Sequence, residues 1–324
     1  MVQFNSTQRT IIEILGDGLC HSGTKLGQLL GISRSAIWKQ IKQLIDWGVP
    51  IISFPKQGYQ LKQELILLDE KKIKEELQKE QWTNAVNLHL FSSIDSTNRY
   101  LKDLAISSDL DLCCAELQTQ GRGRFGRNWH SPFGENIYCS SRWKLQCDLA
   151  KLSGLSLVTS LAIVATLQKF INTSEIKIKW PNDIYHRDSK LGGILIENTI
   201  NGNRISSSVV GIGINVNQKE FDASLPNPIS LFQISNAEYK LESLVELLAS
   251  FIEKYYLQLR QLHFNFLDKA YTVGLFRYQQ THEFKKGEQI LRGEINGVAK
   301  DGKLILHANG KEMRFGFKEV EFVL

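Results

Sequence analysis

The hydrophobic period of this chain changes twice, and no single repeating architecture accommodates that. Over residues 4–15, 23–30 and 33–46 apolar side chains recur at helical spacing. Between about residues 83 and 270, strand-like and helix-like stretches mix. Beyond Tyr271 the spacing drops to two, with Asp301-Gly302 and Asn309-Gly310 as hairpin signals. The expected fold class is α+β in three units, residues 1–65, 66–270 and 271–324, the last a small β-barrel. Length alone, 324 residues, predicts about two units; the third comes from the change of period.

The first unit reads as a winged helix-turn-helix. Gly31-Ile32 supplies the tight turn between the second and third helices, and Ser33 is a good N-cap for the third. Ile37, Ile41, Leu44 and Ile45 form its apolar stripe, which leaves Arg34, Lys39 and Lys42 elsewhere on the surface. Residues 49–54 and 59–61 then read as two strands around a turn, the wing. Seven Lys and Arg against four Asp and Glu in residues 1–65 permit nucleic-acid contact without a strong field. The segment GLCHSGTK nearly spells a phosphate loop. It ends in Thr-Lys and follows no strand, so Ser22 as a helix cap is the better reading.

Composition excludes several classes. With 42% hydrophobic and 23% charged residues, the chain is neither disordered nor collagen-like. Its five cysteines include no Cys-x-x-Cys, and none of the seven histidines sits at zinc-ligand spacing from a cysteine pair. A reduced, cytoplasmic setting is expected. The N-terminus shows no basic start and apolar run, so no signal peptide is expected. The longest uncharged run, residues 152–168, falls short of the ~20 apolar residues a span needs. It is read as a buried helix, and no membrane partner is expected.

In the middle unit, strands are expected at residues 86–91, 112–117, 137–143, 176–180, 192–198 and 207–215. Helices are expected at 97–105, 152–171 and 241–259, after a charged linker and helix over 62–80. Four motifs stand out. GRGRFG, at 121–126, has the glycine spacing of a dinucleotide loop, but residues 127–134, RNWHSPFG, cannot continue it as a helix. Its arginines, Arg122 and Arg124, with Arg127 just beyond, fit an anion clamp or a basic surface loop. KWPND, at 179–183, is turn chemistry, or a turn that offers Asp183 to a metal or an amine. Lys190 stands seven residues beyond Asp183, at the mouth of the strand KLGGILIE. GIGINVN, at 211–217, alternates Gly and Ile, so that another backbone or a ligand can approach, with Asn215 at its edge. DSTN, at 95–98, is a helix N-cap or a set of hydroxyls lining a pocket.

In this order and spacing, DSTN, QTQGRGRFGRNWHSPFGENIY, KWPNDIYHRDSKLGGILIE and GIGINVN resemble the bacterial biotin–protein ligases. The N-terminal unit, with its PKQGYQL wing, is similar to the class of that family that also represses biotin-synthesis operons. Lipoate ligases share the catalytic fold but not the arginine–glycine loop as written here. The resemblance implies a mixed-sheet catalytic domain of the class II synthetase type. It implies that biotin and ATP give biotinyl-5′-adenylate and pyrophosphate, and that biotin then passes to a lysine of a biotin carboxyl carrier protein.

By the same resemblance, Ser96, Thr97, Asn98, Gln118, Gly121, Arg122, Trp129 and Gly193 meet biotin. Arg124 and Lys190 hold its carboxylate and the phosphate. Arg127, Asn182 and Asn215 contact ATP, and Asp183 serves Mg²⁺ or the incoming lysine. Ser33, Arg34, Ser35, Trp38, Lys39 and Lys42 meet operator DNA, and an adenylate-bound homodimer is the repressing form. A loop tryptophan that can cover the adenine in this class has no counterpart here, since no Trp follows Trp180. Phe221 and Phe232 are the candidates for that place.

Overall fold

In the computed structural model, which describes residues 1–62, 65, 67–79, 86–105, 110–148, 153–201, 204–260 and 264–323, each N-terminal helix begins on a side-chain cap. Asn5 caps α1 (Ser6–Leu15) in a reciprocal box with Gln8, Ser22 caps α2 (Gly23–Leu30), and Ser33 caps α3 (Arg34–Asp46). GLCHSGTK is therefore the entry to α2. Gly31 ends α2 in the left-handed region at φ 66°. Ile11, Ile12, Leu15, Leu26, Ile37, Ile41 and Leu44 share one core. Ile45 leaves the expected stripe and is 40% exposed. Eight residues on from Ile37, it lies roughly 80° round the helix.

The wing pairs β1 (Ile51–Phe54) with β2 (Gly58–Leu61), antiparallel. Gly58 lies at φ 150°, and a Cβ there would strike the His21 carbonyl. Without one, Tyr59 and His21 exchange two backbone hydrogen bonds, each 2.9 Å, which seat the wing on the turn before α2.

The middle unit comprises α4 (Glu70–Lys79), β3 (Val86–Phe91), α5 (Thr97–Asp103), β4 (Leu110–Ala115), β5 (Ile137–Asp148), α6 (Ser153–Phe170), β6 (Ile176–Lys179), β7 (Asp183–His186), β8 (Ser189–Asn201), β9 (Arg204–Ile214), α7 (Leu231–Ser235), α8 (Leu241–Arg260) and α9 (Phe264–Val273). Its strands form one mixed sheet ordered β3-β4-β5-β9-β8-β7-β6, parallel only between β3 and β4. The uncharged run is α6, with Val158, Ala162, Ile163 and Leu167 buried between strands β6–β8 and α8. The expected helix start at Leu152, and linker residues 63, 64, 66 and 80, lie outside the described residues. Among the described residues no helix is long and apolar enough to cross a membrane.

Three elements have no counterpart in the sequence reading: β7, α7 and α9. KWPND is a hairpin turn with Lys179 opposite Asp183, so the turn starts a strand that is only four residues long. Four residues are too few for a period to show.

In the C-terminal unit β10 (Thr281–Lys286), β11 (Gln289–Val298), β12 (Leu304–Ala308), β13 (Lys311–Phe315) and β14 (Glu321–Phe322) form an antiparallel sheet ordered β13-β12-β11-β10-β14. Asn309 and Gly310 both take positive φ, 53° and 73°, between paired Ala308 and Lys311, as a two-residue hairpin requires. Among the described residues the end strands β13 and β14 share no ladder, so the expected barrel takes the form of this five-stranded sheet.

The N-terminal unit joins the middle one through its first residues. Val2 donates to the Ser93 carbonyl, and the Phe4 ring stacks on Trp47 and on Phe133, at 5.9 and 5.7 Å.

Candidate functional site

Where the strands of the mixed sheet end, four loops and the tail of the C-terminal unit enclose a cavity of about 680 Å³. Its neutral end begins at the start of α5. The Gln118 carbonyl oxygen accepts from the Thr97 backbone N–H at 2.9 Å and from its hydroxyl at 3.0 Å. Gln118 thus does the capping that the sequence offered to Ser96, whose side chain makes no cap hydrogen bond. The Ser140 hydroxyl donates to Asn98 Oδ1 at 2.6 Å, and the Asn98 amide donates to Glu197 at 2.9 Å. This buried polar chain reaches across β5 and β8.

The glycines of β9 answer the question that their alternation posed. In this fold side chains lie against them. A Cβ at Gly211 would collide with the Asn98 amide, and one at Gly213 would lie 2.5 Å from the Trp129 ring. A Cβ at Gly193 would come within 3.2 Å of the same ring. Trp129 therefore lies flat across two strands as a wall of the cavity. Its indole N–H is buried with no hydrogen-bond partner among the described residues.

The other end is cationic. Arg124, half-buried, donates to Asn182 Oδ1 at 3.1 Å, and Asn182 donates to the Ile194 carbonyl at 2.7 Å. Burial lowers the Arg124 pKa, while Asp183 opposes that shift. Lys190 Nζ pairs with Asp183 Oδ1 at 2.7 Å and lies 5.5 Å from the Trp129 ring centroid. Lys179 lines the cavity too; desolvation brings its ammonium down to about 8, against the pull of Asp183. It donates to the Tyr185 hydroxyl at 3.2 Å and sits over the rings of Tyr185 and Phe322.

Ser96, Thr97, Asn98, Gln118, Arg122, Arg124, Arg127, Trp129, Asn182, Asp183, Lys190, Gly193 and Asn215 all line the cavity. Arg122 and Arg127 are exposed at its mouth. Gly121 is not among the lining residues. A Cβ there would sit 2.6 Å from the Trp129 carbonyl, so this glycine lets the loop fold back on itself. The Asn215 amide donates to the Ile229 carbonyl at 3.0 Å and so holds the 218–230 loop beside the cavity. Of the two candidate covering residues, Phe221 lines the cavity, whereas Phe232 does not and packs under Lys219.

The sequence reading did not include Lys179, Phe317, Lys318 and Phe322 in the site. Lys179 opens the KWPND motif and was legible as its first residue. The other three arrive from the C-terminal unit, which carried no local signal. On α3 and at its cap, Ser33, Arg34, Ser35, Trp38, Lys39 and Lys42 are all exposed, with Lys42 Nζ 5.4 Å from the Trp38 ring centroid.

Comparison with known proteins agrees with both halves. The model of the biotin/lipoate A/B protein ligase family matches residues 90–215, and that of an HTH domain matches residues 7–60. The bifunctional ligase/repressor BirA of Salmonella typhimurium is 35% identical over 314 residues, covering 93% of this chain and 92% of that protein. Its namesake in Escherichia coli K12 is 34% identical and covers 94% of each. Among solved structures, biotin protein ligase from Aquifex aeolicus in complex with biotin and ATP aligns with 72% of this chain and 97% of that one, at a TM-score of 0.60 and 25% identity. With a helix-turn-helix ahead of a ligase sheet, and that identity over nearly its whole length, the chain belongs to the family of bifunctional ligase/repressors.

Proposed function

We propose that this protein joins biotin to ATP as biotinyl-5′-adenylate, passes biotin to a lysine of a carboxyl carrier protein, and represses biotin-synthesis genes when the adenylate is bound. The observation that carries the reading is the polarity of the cavity. One end offers neutral hydrogen-bonding groups, Thr97, Gln118 and the unpartnered Trp129 indole N–H; the other offers Arg124, Lys190 and Lys179. A ligand with an uncharged polar head and a carboxylate that must meet a polyphosphate has that same asymmetry.

In the first step a carboxylate oxygen of biotin attacks the α-phosphorus of ATP. The bond to the bridging oxygen breaks and pyrophosphate leaves. Arg124 and Lys190 offset the repulsion between the two anions and stabilise the charge that builds on the phosphate. In the second step the carrier's lysine amine attacks the carbonyl carbon, the bond to AMP breaks, and the nitrogen gives up a proton. Asp183, 2.7 Å from Lys190, is the carboxylate placed to orient that amine.

Mg²⁺ would enter on the ATP phosphates. Asp183, which lines the cavity beside Lys190, is the carboxylate that would hold it. Phe221 is the side chain for covering the adenine. Residues 1–65, 66–270 and 271–324 act as the DNA-binding, catalytic and closing units. Free thiols at Cys20, Cys113, Cys114 and Cys139 suit a cytoplasmic setting. For the repressing homodimer the outer edge of β8 is the pairing surface: its ladder with β7 ends at Gly193, opposite Asp183, while β8 runs on to Asn201.

Biotin-dependent exchange of label between pyrophosphate and ATP tests the enzyme. Exchange with lipoate alone would overturn the choice of acid, and exchange with no acid would leave a ligand sensor. Sedimentation equilibrium with and without biotin and ATP, with operator binding measured alongside, tests the switch. An unchanged association constant and an unchanged operator affinity would remove it.

A further inference from the structure

Arg124 is held in place from outside its own loop. Its guanidinium carbon lies 3.8 Å from the centroid of the Phe317 ring, which stands between β13 and β14 in the C-terminal unit. The neighbouring Phe125 stacks on the same ring, with centroids 4.9 Å apart and planes 3° from parallel. Lys318 Nζ in turn lies 4.0 Å from the Phe125 centroid. Neither ring belongs to a core cluster: Phe125 is 59% exposed and Phe317 is 37% exposed. Phe125 also takes the left-handed region, φ 59° and ψ 36°, which is strained for any residue with a Cβ. All four side chains line the cavity. Two exposed aromatic rings, one on strained backbone, make a flat stack between separate units with the key guanidinium against it. Core packing does not account for this arrangement, and a clasp does.

We infer that Phe317 is a positioning residue for adenylate formation. With Phe125 it clasps the arginine–glycine loop to the C-terminal unit and holds Arg124 at the cationic end of the cavity. The inference rests on the role proposed above for Arg124. A guanidinium lying on an aromatic face is attracted by the ring quadrupole and fixed in plane, so the loop is ordered before the substrates arrive. An open clasp leaves Arg124 free to wander, which slows the step in which charge develops and lets the finished adenylate escape.

The test compares Phe317→Ala, Phe317→Leu and Phe317→Tyr in the full-length protein, with Arg124→Ala alongside. Single-turnover adenylation is measured with the KM values for biotin and ATP, and the release of preformed adenylate is timed. The Ala and Leu variants should slow adenylation roughly two- to fivefold, the size of one partly exposed cation–π contact, chiefly in the rate and little in KM. Both should release adenylate faster, and Tyr should behave as the parent. Leu keeps apolar bulk and loses the quadrupole, so a Leu variant at the parent rate would reduce Phe317 to packing and overturn the inference. The double variant with Arg124→Ala should be no slower than Arg124→Ala alone; additive losses would also overturn it. If Arg124→Ala itself adenylates normally, the reading of Arg124 fails. If Arg124→Ala is slow while all three Phe317 variants match the parent, that reading stands and the clasp falls.

Discussion

The cavity and helix α3 both present cations, yet they are built in opposite ways. Around the cavity each key side chain is engaged before a ligand arrives: Arg124 with Asn182, Lys190 with Asp183, Thr97 with Gln118. On α3, Arg34, Lys39 and Lys42 stand exposed, and Lys42 lies over the Trp38 indole. Anhydride formation needs charge placed within a fraction of an ångström of a reacting phosphorus, which requires preorganisation. A DNA backbone is a long array of charges that mobile side chains can follow, and its binding is dominated by counterion release. The same residue types are therefore held fixed in one place and left free to move in the other, as the two proposed roles require.

The largest expected effect falls on the fixed side. Lys190→Ala should slow single-turnover adenylation by roughly 10²–10³, the cost of one oriented donor in such a site. Ligand-free DNA affinity should hold. A near-normal rate in the folded variant would show that the cavity is as forgiving as the helix.

Glu116 joins the two regions. Its carboxylate accepts from the Leu68 N–H at 3.1 Å in the interdomain linker, and its carbonyl accepts from Gly134 after the arginine–glycine loop. Burial raises its pKa to about 7, with Arg9 of α1 opposing. The folded state then holds a proton that the unfolded state has lost above about 4.5. Stability from this group is full below that value and is lost as pH rises through about 7. The loss should be on the order of 3 kcal/mol and should vanish in Glu116→Gln. Denaturant titrations at pH 5 and pH 8 would check it, and equal pH dependence in both proteins would sever this link.

On the exposed side, Arg34→Glu with Lys39→Glu should weaken operator binding roughly 10- to 100-fold and lower the salt slope by about two. Adenylation should be untouched. An unchanged affinity would move the DNA contact off α3. The smallest effect expected is that of Asn5→Ala. It breaks the capping box in which Gln8 N–H and Asn5 Oδ1 meet at 2.9 Å, at a cost of about 1 kcal/mol. It should appear as earlier melting of the N-terminal unit, with ligation at the parent level.

Much of this was legible in the order of residues. The caps at Ser22 and Ser33, the Gly31 turn, the apolar α6 and the Asn309-Gly310 hairpin are local, because the atoms that decide them lie within a few positions of one another. The motifs named most of the cavity wall, since strand ends bring short contiguous segments to one edge. The reading ran short where the deciding neighbour was distant. Ser96 looked like a cap until Gln118 took the N–H. At Gly121 the Trp129 carbonyl lies where a Cβ would stand, a close approach that no local pattern announces.

The sequence by itself determined the caps and turn of the N-terminal helices, the apolar helix α6 and the Asn309-Gly310 hairpin, because periodicity and capping act over a few residues. Only the tertiary structure decided that Trp129 lies over Gly193 and Gly213, that Lys179 loses water and proton affinity among three rings, and that Phe317 reaches back to Arg124. Desolvation and ring contact depend on what lies across space, and a linear pattern records only what lies along the chain.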